Sequence, residues 1–124
     1  MTTANPHRGE IRIRLDADYA LRPDFEAAAA IDEELGDIID LARRALSEKK
    51  LSYREVSVII CEGMKAHGRA TNNQSMQGVN LRRVQQLVYE VGMLTVLGPC
   101  LSFLAAAVTG GVDPGNGEAA GGPT

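Results

Sequence analysis

The chain has 124 residues, enough for one domain with a single hydrophobic core. Hydrophobic residues make up 44% but aromatics only 4%, with no Trp, so the core must be aliphatic and alanine-rich, which suits packed helices better than a β-sandwich. The net charge of −3 gives no electrostatic drive toward nucleic acid.

Residues 1–10 hold no apolar run, so no signal peptide is read there, and the protein is expected to mature in the cytoplasm. Residues 1–8 are expected to be a flexible end. Ile11, Ile13 and Leu15 alternate with Arg12 and Arg14, the period-2 pattern of a strand with one apolar and one wet face. Asp16-Ala17-Asp18 supplies turn chemistry, and Tyr19 and Leu21 resume the alternation on a return strand. The Arg12, Arg14 face is expected to meet water. Pro23 ends that strand because it cannot donate to a ladder, and Asp24 is placed to cap a helix.

That helix is expected over Phe25–Leu35, with Phe25, Ala28, Ile31 and Leu35 on one side and Gly36 as its stop. Seven carboxylates lie between Asp24 and Asp40 with no basic residue among them. They read as a solvated acidic face, and docking to a basic partner helix is the sharper alternative. Asp37 caps a second helix with Ile38, Leu41 and Ala45 inward and Arg43 and Arg44 outward, fading at Glu48-Lys49-Lys50.

Ser52-Tyr53-Arg54-Glu55 is a capping box, with Leu51 and Val56 as its hydrophobic staple. The third helix turns Val56, Ile59, Ile60 and Met64 inward and is expected to run to about His67, ended by Gly68. Arg69–Asn80 lacks apolar periodicity and reads as a surface loop. Asn80 caps a fourth helix with the inner stripe Leu81, Val84, Leu87, Val88 and Val91. Gly92 marks a break before the last apolar segment. From Gly110 onward the Gly/Pro/Ala composition cannot bury enough surface to order itself.

The fold class is therefore mainly α: an N-terminal β-hairpin, a compact bundle of about five helices over a single 9–109 domain, and a disordered Gly-rich tail over 110–124.

Val91–Val108 carries no charge over eighteen positions, close to the lower length for a membrane span. Gly92, Thr95, Gly98, Pro99 and Ser102 dilute it, basic or aromatic flanks are absent, and Gly98-Pro99 is expected to kink or restart a helix. A buried helix covered by the core or by another subunit fits better than a membrane span. Leu94, Leu97, Leu101 and Leu104 form one stripe, and Val96, Phe103 and Val108 lie elsewhere around the helix. Leu94, Leu97, Leu101, Phe103 and Leu104 are the candidate partner-binding residues, with ordinary core packing as the alternative.

No catalytic residue, metal ligand or cofactor-binding residue is assigned, and no cofactor is expected. His7 lies near the chain start and His67 reads as a cation at a helix end. No HExxH, CxxC or Walker-type loop occurs. Asp16 and Asp18 resemble the start of a cation loop whose remaining ligands are missing. The serines lack a nucleophile-elbow context. Cys61 and Cys100 lie in apolar stretches and read as buried thiols rather than a disulfide or redox pair. Arg69, Arg82 and Arg83 flank what could pass for a helix-turn-helix, but the connector is too long and the net charge is wrong for DNA.

The run Leu21-Arg22-Pro23-Asp24-Phe25-Glu26-Ala27, continued by Ile31-Asp32-Glu33-Glu34-Leu35-Gly36 and by Val91-Gly92-Met93-Leu94 to Leu97-Gly98-Pro99, resembles the small tail proteins of gene transfer agents and tailed bacteriophages. The resemblance covers roughly residues 5–110. The family's shorter, more acidic connection is replaced here by Thr71–Gly78. The resemblance implies a non-enzymatic role in tail morphogenesis, as a tail assembly chaperone that binds the tape measure protein or as a tube component retained in the particle. The implied partners are the tape measure protein and other tail proteins, with a homo-oligomer as a further option and neither nucleic acid nor membrane.

Overall fold

Ile11–Arg14 (β1) and Asp18–Leu21 (β2) pair antiparallel, with Ile11 opposite Leu21 and Arg14 opposite Asp18. The alternation sends Ile13 and Leu15 into the core, whereas Arg12 and Arg14 stay exposed beside Asp18 at 3.4 and 3.0 Å. Six helices follow among the described residues: α1 (Phe25–Leu35), α2 (Ile38–Glu48), α3 (Tyr53–Thr71), α4 (Gln74–Gln77), α5 (Leu81–Val91) and α6 (Met93–Val108). The computed structural model describes residues 9–111. The flexible start expected over 1–8, and the expected disordered tail from residue 112 onward, lie outside the described residues.

The caps read from the sequence set the helix starts. Asp24 accepts from the Ala27 amide at 2.8 Å, Asp37 from the Ile39 amide at 2.9 Å, and Asn80 from the Arg83 amide at 2.8 Å. Ser52 and Glu55 form the reciprocal capping box. Gly36, at φ +90°, closes α1 through its N–H to the Asp32 carbonyl. Asp32 also accepts from the Ile38 amide at 2.9 Å, which fixes the α1–α2 corner.

The 19-residue α3 is the central element and packs against β2, α1, α4, α5 and α6. α6 closes the other side by covering β1, α2, α3 and α5. Ile31, Val56, Ile59, Ile60, Met64, Val84, Val88, Val96, Phe103 and Leu104 form the fully buried centre.

Four expectations need correction. On α1 Ile31 is buried as expected, but its buried companion is Ala27, whereas Phe25, the first helical residue after the Asp24 cap, is 83% exposed. α3 does not stop at Gly68; it continues to Thr71, and Asn72 ends it in the left-handed conformation at φ +57°. Gly68 serves packing instead, since a Cβ there would lie 2.7 Å from the Gln77 backbone nitrogen. The expected 69–80 loop accordingly contains the last turn of α3 and the one-turn α4. Finally, the restart expected at Gly98-Pro99 does not occur, since α6 runs from Met93 to Val108 through both residues. Pro99 lacks the N–H that would reach Thr95, and Thr95 is exposed, so its carbonyl can meet water.

Candidate functional site

α6 begins at Gly92, whose φ of +104° favours glycine, and it has no side-chain N-cap. At 100° per residue, Val96, Cys100, Phe103 and Leu104 share the inner face, and all four are fully buried. Leu97, Leu101 and Val108 lie on the margin and are half-buried, whereas Leu94 is 88% exposed. The outer face carries Thr95, Gly98 and Ser102, with no charged side chain anywhere on the helix.

The five candidate partner residues therefore fall into two groups. Leu94, Leu97 and Leu101 stand within one side of α6 over successive turns and reach the surface. Phe103 and Leu104 point into the core and are not accessible to a partner. The edge of Phe103 reaches the space above Gly63, where an added Cβ would sit 3.0 Å from its ring.

Other exposed apolar side chains lie off α6. Phe25 starts α1, and Tyr89 on α5 is 77% exposed. Tyr53 and Tyr89, with Arg82, Gln85 and Gln86, line an open groove between α3 and α5. The Tyr53 hydroxyl donates to the Gln85 carbonyl across that groove.

The acidic stretch from Asp24 to Asp40 is largely engaged within the fold. Asp24, Asp32 and Asp37 accept from backbone amides, Glu34 pairs with Arg54 at 3.1 Å and Asp40 with Arg43 at 3.5 Å. Glu26 and Glu33 remain exposed and make no ion pair among the described residues.

His67 does not stand at the end of its helix, because α3 continues to Thr71. It is buried, with Nδ1 3.0 Å from Oε2 of buried Glu10, and Arg22 donates to the same oxygen at 3.1 Å. The signal was present in α3, because His67 follows Ile60 and Met64 on the inner face at helical spacing. Glu10 was not legible, since strand alternation puts it in phase with exposed Arg12 and Arg14.

Elsewhere, Arg14, with Arg12 beside it, holds the Asp18 carboxyl below the usual aspartate range. Burial and the hydrogen bond to Asp16 push the Tyr19 hydroxyl up to about 12. The two thiols are free and buried, and burial pushes Cys100 up to about 12 and raises Cys61. Among the described residues no group of three or more His, Cys, Asp or Glu could hold a metal ion, and no helix is long and apolar enough to cross a membrane.

No curated protein and no solved structure matches the chain significantly. A family model does match, over residues 8–110, and it describes a phage tail tube protein, GTA-gp10. The match spans the hairpin and all six helices. The family is a structural tail family and not a class of enzymes, and it fits presence in the particle tail with other tail proteins as partners. On this match the chain belongs to the phage tail tube protein (GTA-gp10) family.

Proposed function

We propose that this tail protein acts during assembly as a chaperone that covers apolar helices of the tape measure protein before and while tube subunits polymerise around it. The observation that carries this reading is the uncharged outer side of α6, where Leu94 is 88% exposed and Leu97 and Leu101 are only half covered. Covering a leucine side chain contributes roughly 1.5–3 kcal/mol. A ridge of three is therefore a sizeable gain for a partner helix that presents its own apolar stripe. A long amphipathic protein offers many such stripes, so several copies could bind along it and reinforce one another. Such a complex would form in the cytoplasm, before the particle is complete.

The second reading is a structural component that stays in the tail, and the family's description as a tube protein favours it. Co-expression with the neighbouring tape measure protein, followed by pull-down and by mass spectrometry of purified particles, separates the two. Capture of the tape measure protein together with absence from particles supports the chaperone. Stable presence in particles supports the tube component. A folded Leu94→Asp variant that captures the tape measure protein as well as the wild type would remove α6 as the contact surface.

A further inference from the structure

Phe25 opens α1 with its ring 83% exposed, and it does not stand alone. With Pro23 and Ala28 on one side and Ala107, Gly110 and Gly111 on the other, it lines an open, mainly apolar groove of about 540 Å³. One water takes up about 30 Å³ of liquid, so the groove has room for several side chains. The chain leaves the end of α6 at the edge of this groove. The Gly111 amide donates to the Ala106 carbonyl at 2.7 Å, and φ at Gly111 is +67°. A Cβ on Gly111 would lie 2.5 Å from the Pro23 carbonyl oxygen, so the backbone is pressed against the residue that precedes the α1 cap. The residues that come next in the sequence are Val112-Asp113-Pro114.

We infer that this groove is covered by the chain's own segment Val112–Pro114, which acts as a short strap over Phe25. Reach presents no obstacle, since consecutive Cα atoms lie about 3.8 Å apart and Pro114 is three residues from a glycine already in the groove wall. Pro114 holds Asp113 in an extended conformation, and in an extended segment residues i and i+2 face the same side. Val112 and Pro114 then meet the groove together and Asp113 meets water. The fixed φ of proline also leaves less freedom to lose on docking. Between Pro114 and Pro123 the sequence holds only Gly, Ala and polar residues, so the strap is confined to its first three positions. Docking withdraws an exposed aromatic ring from other partners, and its release presents that ring again. This contact uses none of the α6 leucines and does not depend on tape measure binding.

The test uses the full chain carrying Phe25→Trp, which puts one indole on the groove because the protein has no tryptophan of its own. Fluorescence emission and acrylamide quenching read its cover, and circular dichroism verifies folding. The indole should emit to the blue of a fully exposed one. Adding Val112→Asp should shift the emission to the red and raise the quenching constant about twofold, because a carboxylate will not leave water for an apolar groove. Val112→Leu should keep the ring covered. Ala119→Asp places the same charge beyond the strap and should change nothing. Phe25 is exposed and Val112 follows α6, so these changes leave the core intact. Equal emission and quenching with and without Val112→Asp would overturn the inference. So would an equal effect of Ala119→Asp, or a blue shift that appears only as protein concentration rises, which would put a second copy in the groove.

Discussion

Nδ1 of His67, in the penultimate turn of α3, lies 3.0 Å from the Glu10 carboxylate just before β1, and both side chains are buried. Arg22, at the end of β2, reaches the same Glu10 oxygen at 3.1 Å. Glu10 thus ties both ends of the hairpin to the helix that carries most of the core. The Arg22 amide adds a backbone bond to the Gly63 carbonyl at 3.1 Å.

Removing the carboxylate should therefore loosen the hairpin from α3. Glu10→Ala leaves the guanidinium of Arg22, largely buried, without this partner, and the expected cost is about 3 kcal/mol. His67→Gln keeps a polar side chain and should cost about 1 kcal/mol. Urea denaturation of each variant, read at unchanged m value, measures the difference, and equal losses would show that the Arg22 contact adds little.

Gly63 marks the closest approach of α3 to the hairpin. A Cβ there would lie 2.8 Å from the Cβ of Leu21 and 3.0 Å from the Phe103 ring, so neither neighbour can yield without moving the core. Gly63→Ala should destabilise by about 2 kcal/mol through overpacking. At Gly78 an added Cβ would meet only the Gln74 carbonyl, at an ordinary 3.5 Å. Gly78→Ala should fall within about 0.5 kcal/mol of the wild type. Thermal unfolding of the pair checks both.

The two groups of α6 residues should separate by experiment. Leu94→Asp puts a charge on a side chain already in water and should leave the melting temperature unchanged. Leu104→Asp buries an unpaired carboxylate in the core and should abolish folding or cost more than about 4 kcal/mol. Circular dichroism melts decide this before any binding assay is interpreted.

The thiols give a pH-dependent readout. Burial raises the Cys100 thiol to about 12 from an ordinary 9.0, so the folded state holds its proton where the unfolded chain releases it. That contribution to stability is fully present below pH 9.0 and is progressively lost between there and about 12. At neutral pH neither Cys61 nor Cys100 should react with an aromatic disulfide reagent in native protein, and both should react in denaturant. Rapid native labelling of Cys100 would contradict the packing of α6 on α3.

The legible parts of this fold were those governed by local chemistry. Side-chain caps at Asp24, Asp37, Ser52 and Asn80 and the period-2 alternation at Ile11–Leu15 depend on neighbours within a few positions, and each appears in the structure. The illegible parts depend on partners far along the chain. Gly68 reads as a helix stop until Met76 and Gln77 come to rest against it. The same holds for the candidate surface. Spacing placed the leucines of α6 on one stripe, but only the positions of α2, α3 and β1 determine that Leu104 is covered and Leu94 is not.

The position of α6 also bears on the order in which this protein matures. Phe103, Leu104, Cys100 and Val96 come from α6, the last of the described helices to be synthesised, yet they complete a centre whose other walls are supplied by β1, α2, α3 and α5. While the ribosome is still translating the residues before Met93, those walls face solvent with nothing to close them. The domain can therefore lock only after nearly its whole length has been synthesised, so a nascent chain paused at the Gly92 corner would expose its interior to other growing polypeptides.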